Sequence, residues 1–339
     1  MKIAIVADPM IPVPPTFYGG IERIIDMLIK GLISNGVEVS LFAHRNSETD
    51  AILYPYLTDN NNGINGLKNA LLINKVLLQN KHDLIHSFGR LAYLLPQLPL
   101  GIPKLMSYQR EPTLSQIKKA FKLSKKHTLF FTGCSNYISD QIKPYVPTYT
   151  VYNGVDLGDY HFCNDVKADN PLVFLGRIEP IKGTHIAIEI AKKTNKKLLI
   201  AGNVPSEYLG YFESEVKPYL NEQIVYIGPV NDTQKNELLG NALALLMPIQ
   251  WNEPFGIVMA EAMACGTPVI GFRKGSVSEV VQHGVNGFIC DHIDQMVEAV
   301  AQIEHINRKD VRKICEVRFS AKTIVESYLD VYQKISTIN

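Results

Sequence analysis

The stretch NEPFGIVMAEAMACGTPVIGF, Asn252 to Phe272, sets two glutamates eight residues apart around a phenylalanine-glycine step that opens an apolar helix pattern. The carboxylates are Glu253 and Glu261. Pro254 has a backbone φ suited to a first helical position, so the amides of Phe255, Gly256, Ile257 and Val258 are expected to be helix-start donors with no acceptor inside the helix. Such donors attract anions. Gly256 leaves room for a ligand near the backbone, and Glu261 falls about two turns in, on the side where the helix starts. A diphosphate flanked by sugar hydroxyls suits both parts. The competing reading is an ordinary buried helix, with Glu253 complementing the helix dipole and Glu261 solvated.

Outward from this stretch, strands alternate with helical patterns in two series. In the first, Lys2–Ala7 is a short apolar run, Gly20–Ser34 has helical periodicity (Ile21, Ile24, Ile25, Leu28, Ile29, Leu32), and Glu38–Ala43 alternates as a strand. Further strands are expected at Asp83–Phe88, Lys104–Tyr108, Thr128–Gly133 and Tyr149–Tyr152. The series restarts after the polar segment Asn164–Asn170, with strands expected at Leu172–Leu175, Lys197–Ala201, Ile224–Ile227, Ala244–Met247, Pro268–Phe272 and Gly287–Cys290. Two parallel sheets, each covered by helices on both faces, follow from this order. Asp59-Asn60-Asn61-Asn62-Gly63 reads as a loop.

With 339 residues, 46% hydrophobic and 20% charged, the chain can bury two cores. Uncharged apolar runs fall short of the roughly 18 residues that a membrane span needs. MKIAIVADPM, interrupted by Asp8, reads as a first strand rather than a secretory signal, and the expected location is the cytoplasm. The five cysteines, Cys134, Cys163, Cys265, Cys290 and Cys315, are odd in number and scattered. They indicate neither a disulfide framework nor a zinc site and read as small core residues.

EPFGIVMAEAMACGTPVI, Glu253 to Ile270, resembles the E-x7-E signature of the retaining GT-B glycosyltransferases of glycosyltransferase family 4. The resemblance implies an α/β chain of two doubly wound Rossmann-like domains facing a central cleft. Its last helix, here the pattern Ser320–Ile335, would cross back to the first domain. The implied division is 1–155 with 318–339 for an acceptor-binding domain and 156–317 for a nucleotide-sugar-binding domain. The resemblance is strong from Leu172 to Cys290 and thinner from Asp50 to Thr148, where acceptors are chosen.

A second motif, FLGRIEPIKG from Phe174 to Gly183, ends the first strand of the second series, where open α/β sheets bind ligands. Two cations in a loop are often merely solvated, but in the family the matching Arg177 and Lys182 hold the nucleotide diphosphate and stabilise charge on the leaving group. Gly176 precedes them, and Gly183 would let the next helix approach the phosphates. The resemblance assigns donor sugar hydroxyls to Glu253, ribose hydroxyls to Glu261, and sugar and phosphate to the amides of Phe255, Gly256, Ile257 and Val258. The proline-rich loop Pro9–Tyr18 followed by Gly19-Gly20 departs from the dinucleotide fingerprint. It resembles the family's Gly-Gly loop beside the donor, although a glycine pair before a helix is also a common turn.

His86, in DLIHSF, matches the first histidine of a family pattern D-x-x-H-x-H that places a catalytic histidine near the donor sugar; Phe88 stands at the second. A structural role is the alternative. Arg110 and Glu111 stand where relatives carry threonine and histidine, and either read the acceptor or pair with each other on the surface. Asp-x-Asp does not occur, so donor binding without metal or cofactor is expected.

Residues 1–155 carry 16 Lys and Arg against 10 Asp and Glu, and the remainder 18 against 23. LSQIKKAFKLSKK, 114–126, has five lysines and no acid, with Leu114, Ile117 and Phe121 at helical spacing. It reads either as a helix touching an anionic membrane or as an amphipathic helix on the sheet with solvated lysines. Taken together, these features predict a metal-independent, retaining transfer of a hexose from a UDP- or GDP-linked sugar to a glycan or lipid-linked acceptor. This suits cell-surface polysaccharide or glycolipid synthesis on the cytoplasmic side, with no nucleic acid involved. A catalytically silent sugar-nucleotide-binding subunit and a GT-B-like nucleotide-sugar epimerase are the alternatives.

Overall fold

The computed structural model describes every residue except Phe17, Tyr18, Asn61 and Asn339. The end of the proline-rich loop at Tyr18 and Asn61 of the expected Asp59–Gly63 loop therefore lie outside the described residues. The chain forms two compact units, Met1–Asn153 with Ala321–Asn339, and Gly154–Ser320.

The first unit runs β1 (Lys2–Val6), α1 (Gly20–Ser34), β2 (Glu38–Ala43), β3 (Ile52–Pro55), α2 (Gly63–Gln79), β4 (Leu84–Ser87), β5 (Lys104–Tyr108), α3 (Leu114–Leu123), β6 (Leu129–Gly133), α4 (Asn136–Ile142) and β7 (Thr148–Thr150). Among the described residues its strands form one parallel sheet in the order β3-β2-β1-β4-β5-β6-β7. Ile3 to Val6 of β1 are fully buried, because a central parallel strand is covered on both faces. β3 has no counterpart among the expected strands. It is an edge strand whose residues are all at least partly exposed, so it lacks the apolar run that marks its neighbours.

The second unit runs β8 (Leu172–Leu175), α5 (Thr184–Thr194), β9 (Leu198–Ala201), α6 (Leu209–Glu215), β10 (Ile224–Gly228), α7 (Asp232–Gly240), β11 (Ala244–Met247), α8 (Ile257–Ala264), β12 (Val269–Phe272), α9 (Val277–Val280), β13 (Gly287–Cys290), α10 (Ile293–Gln302) and α11 (Arg308–Arg318). Its parallel sheet has the order β10-β9-β8-β11-β12-β13. Chain entry and exit lie side by side, the Val155 amide donating to the Phe319 carbonyl at 2.9 Å. At the start of α11, Arg308 donates to the carbonyls of Cys163, Ala242 and Gly240 and to the Thr267 hydroxyl at 2.7 to 2.9 Å. This one guanidinium ties the unit's irregular entry segment at Cys163 to the ends of α7 and α8.

The last helix, α12 (Ala321–Ser336), belongs to the first unit. It buries Ile324, Val325, Tyr328, Val331, Tyr332 and Ile335, and packs on α1 at Gly31, where a Cβ would meet Val325 Cγ2 at 2.3 Å. All five cysteines are free thiols, four of them buried. Among the described residues no helix is long and apolar enough to cross a membrane.

Candidate active site

In each sheet the strand order reverses direction once, and in the second unit the reversal falls between β8 and β11. Loops leave the carboxyl ends of those two strands at this reversal, the usual ligand position in open α/β sheets. Those loops contain the two motifs. The first runs from Gly176 to Gly183 and the second from Pro248 to Gly256.

Backbone contacts fasten the loops together. Gly183 has a φ of +77°, and a Cβ there would sit 2.0 Å from the Pro248 carbonyl oxygen. Two residues earlier in the first loop, the Ile181 carbonyl accepts from the Gln250 amide at 2.7 Å. The missing side chain of Gly183 therefore serves the junction with Pro248.

This junction brings Lys182 to Glu253. Lys182 Nζ donates to Glu253 Oε2 at 2.8 Å, and Trp251 Nε1 donates to the same oxygen at 3.0 Å. The lysine ammonium also lies 4.8 Å from the centre of the Trp251 ring. Glu253 is 8% exposed, so its charge is sustained by these donors rather than by water. In the first loop an Arg177 terminal nitrogen lies 2.9 Å from Oε1 of the buried Glu179.

The second loop enters α8 later than Pro254 predicts. Gly256 is the N-cap with a φ of +71°, and Ile257 is the first helical residue. A proline-compatible φ permits a helix start but does not compel one, and the left-handed turn at Gly256 delays it. The amides at the helix mouth are those of Ile257 and Val258, both half-buried. The Phe255 side chain is core, 5.6 Å from the Phe319 ring centre.

Glu261 follows one turn further and is 5% exposed. Its Oε1 accepts from Lys235 Nζ at 2.6 Å and from the Tyr160 hydroxyl at 2.8 Å. Lys235 also lies 3.1 Å from Asp232 Oδ1. Glu261 is thus neither solvated nor isolated, and Lys235 and Tyr160 were missed from the sequence. Lys235 sits mid-helix behind the Asn231–Gln234 capping box, and Tyr160 sits in an irregular segment. Neither position carries a pattern that points to a carboxylate on another element.

Residues of the first unit fall out differently. His86 is fully buried, with Nδ1 2.6 Å from the Tyr332 hydroxyl and Nε2 2.6 Å from the Ser107 hydroxyl. Phe88 and Tyr328 flank the ring at centroid distances of 4.2 and 5.0 Å. Burial pushes its pKa down to about 3, so the imidazole is neutral. A ring with both nitrogens occupied in the core cannot reach a substrate, and the catalytic expectation for His86 is corrected: it fastens α12 to the sheet. Arg110 and Glu111 do not pair with each other. An Arg110 terminal nitrogen lies 3.6 Å from Asp8 Oδ2, and Glu111 Oε1 accepts from the Tyr137 hydroxyl. Gly19 precedes α1 with Pro15 and Glu22 in close contact, whereas Gly20, its first residue, faces open space.

The two loops and α8 of the second unit therefore carry the cations Arg177 and Lys182, the carboxylates Glu253 and Glu261, and a helix start. Cations and amides suit a diphosphate, and carboxylates held on one oxygen suit vicinal hydroxyls. Residues 164–316 match the family model for glycosyl transferases group 1, and residues 18–159 match that for glycosyltransferase family 4. A putative glycosyltransferase of Bacillus subtilis, YtcC, is 25% identical across 99% of this chain and 93% of its own. AviGT4, a glycosyltransferase involved in avilamycin A biosynthesis, superposes with a TM-score of 0.75 at 23% identity, covering 99% of this chain and 98% of that one. HepE of Anabaena, solved with UDP and glucose, superposes at 0.74 with 19% identity, over 98% of this chain and all of that one. The chain belongs to glycosyltransferase family 4 and has the GT-B fold. It is a glycosyltransferase.

Proposed function

We propose that the chain transfers a hexose from a UDP- or GDP-linked sugar to a hydroxyl of a glycan or lipid-linked acceptor, with retention of anomeric configuration. The observation that carries this reading is the meeting of Lys182 with Glu253 at the β8–β11 reversal, between loops that the Gly183–Pro248 contact holds in place. A UDP-and-glucose complex of the structural neighbour HepE supports the nucleotide-sugar donor.

In this reading Arg177, Lys182 and the amides of Ile257 and Val258 bind the diphosphate, with Gly176, Gly256 and Phe255 shaping the backbone around it. As the bond from the anomeric carbon to the phosphate oxygen breaks, negative charge grows on that oxygen, and the two cations stabilise it. Glu253 takes sugar hydroxyls and Glu261 the ribose hydroxyls. The acceptor hydroxyl attacks from the face the leaving group vacates, and the phosphate oxygen accepts its proton, which accounts for retention without a protein nucleophile. Charge neutralisation by the two cations leaves no role that requires a metal ion.

Proton NMR of the transfer product tests the stereochemistry directly. A new linkage with the donor's anomeric configuration, formed in EDTA, supports the reading. Inverted configuration or strict metal dependence overturns it. A donor that is bound but never transferred or hydrolysed, with every acceptor tried, would mark a silent subunit instead.

A further inference from the structure

Trp251 is the single tryptophan of the chain and stands in the second loop, two residues before Glu253. It is half-buried, and the backbone is pinned on both sides of it. Ahead of it the Gln250 amide donates to the Ile181 carbonyl at 2.7 Å, and after it the Glu253 carbonyl accepts from the Ser276 amide at 2.9 Å. Gly275, with a φ of +57°, lies so close that a Cβ there would meet the Glu253 amide nitrogen at 2.5 Å. A third loop, from β12 to α9, therefore clamps the same backbone.

The indole uses its two chemically different parts on two partners. Its N–H donates to Glu253 Oε2 at 3.0 Å, the oxygen that Lys182 Nζ also reaches at 2.8 Å. Its ring face lies under the Lys182 ammonium, 4.8 Å from the ring centre. The three side chains close a triangle, and Glu253 Oε1 accepts from none of the described residues. The terminal torsion of a glutamate has broad wells, so a single donor leaves the carboxylate free to turn. Two charge-assisted bonds converging on one oxygen from separate directions fix its plane, and with it the direction of the other oxygen.

We infer that Trp251 is a positioning residue for transfer: its N–H turns Glu253 Oε1 toward the donor sugar, while its ring face holds the Lys182 ammonium for the leaving phosphate. The inference rests on the donor-site reading and extends it to a residue that acts through these two neighbours. Its effect on turnover must pass through them, which separates it from a residue that merely packs the loop.

Steady-state turnover of a UDP- or GDP-sugar by Trp251→Phe, Trp251→His, and Trp251→Phe combined with Glu253→Ala tests it. Phenylalanine keeps an aromatic face for Lys182 and removes the N–H, whereas histidine returns an N–H at the matching place on its five-membered ring. Trp251→Phe should lower kcat by about ten- to a hundredfold, the range for a hydrogen bond to a charged group, with KM changed by less than about threefold. Trp251→His should recover most of that loss. In the Glu253→Ala background the same Phe change should cost less than about twofold, since both changes remove one interaction. Should that background be inactive, the indole N–H signal of the lone tryptophan in a proton–nitrogen NMR spectrum decides without substrate, and it should move upfield when Glu253→Ala removes its charged acceptor. Wild-type kcat in Trp251→Phe overturns the inference. So does a full loss repeated in the Glu253→Ala background, or an indole signal that ignores Glu253→Ala. Failure of the wild type to turn over any nucleotide sugar is a different result, which removes the donor-site reading and this inference with it.

Discussion

Lys235 Nζ lies 2.6 Å from Oε1 of Glu261, a carboxylate 5% exposed and joined on the same oxygen by the Tyr160 hydroxyl. One carboxylate oxygen is therefore committed to α7 and to the unit's entry segment. In the proposed function the other meets the ribose, and Lys235 is a positioning residue for it. Removing the lysine leaves a buried carboxylate with a single neutral donor. Lys235→Met should raise the KM for the donor by tenfold or more with a smaller change in kcat, and lower stability by about 3 kcal/mol. Lys235→Arg should restore most of the KM. Steady-state kinetics read the first effect and thermal unfolding the second; unchanged KM in a folded Met variant would contradict the assignment.

Lys182 is in a different position, because its contribution grows as the leaving group gains charge. Lys182→Ala should lower kcat by about 100- to 1000-fold, the usual cost of removing one preorganised donor to a developing anion. Donor affinity should fall much less. An equal loss in binding and turnover would show that the ammonium holds the ground state and the transition state alike.

The Gly183–Pro248 contact gives a stability test that needs no substrate. Gly183→Ala puts a Cβ 2.0 Å from a backbone oxygen at a φ of +77°, so the two loops must separate. We expect a loss of at least about 2 kcal/mol together with loss of donor binding. Gly20→Ala, where a Cβ meets nothing within 4 Å, is the control and should leave the melting temperature within a degree or two.

His86 makes the fold sensitive to acid. In the folded protein its pKa is about 3, against 6.5 for the free side chain. Between those values the unfolded chain binds a proton that the folded chain refuses, so stability rises with pH across that window and falls on acidification. The full difference, reached below pH 3, is at most about 5 kcal/mol. His86→Leu should be destabilised at pH 7, because the Tyr332 and Ser107 hydroxyls lose a buried partner, yet its melting temperature should depend less steeply on pH between 6.5 and 4. An unaltered slope would remove His86 from the acid response.

The strand series and the two carboxylates of the signature were legible because a buried parallel strand reads as a continuous apolar run, and because Glu253, Pro254 and Gly256 are unusual in such company. What escaped is mostly distant in sequence. Lys235 reaches Glu261 only because α7 and α8 pack side by side, and nothing in the local pattern of either helix announces it. His86 looked catalytic at a strand end, but Tyr328 and Tyr332 return from the last helix to enclose it. The helix start was misjudged by three residues because the proline's φ is compatible with a helix, while the left-handed turn at Gly256 decides where the helix begins. Strand β3 escaped for want of burial.

Calorimetric titration of a panel of UDP-, GDP- and ADP-sugars, in EDTA, into the wild type and Glu261→Ala tests the site most directly. We predict that one UDP- or GDP-linked donor binds and that the substitution weakens it by about tenfold or more, since a charged group that accepts two hydroxyls is worth about 1.5–3 kcal/mol. Failure of every nucleotide sugar to bind the folded wild type, or equal binding to both proteins, would contradict the donor site built on Lys182, Glu253 and Glu261.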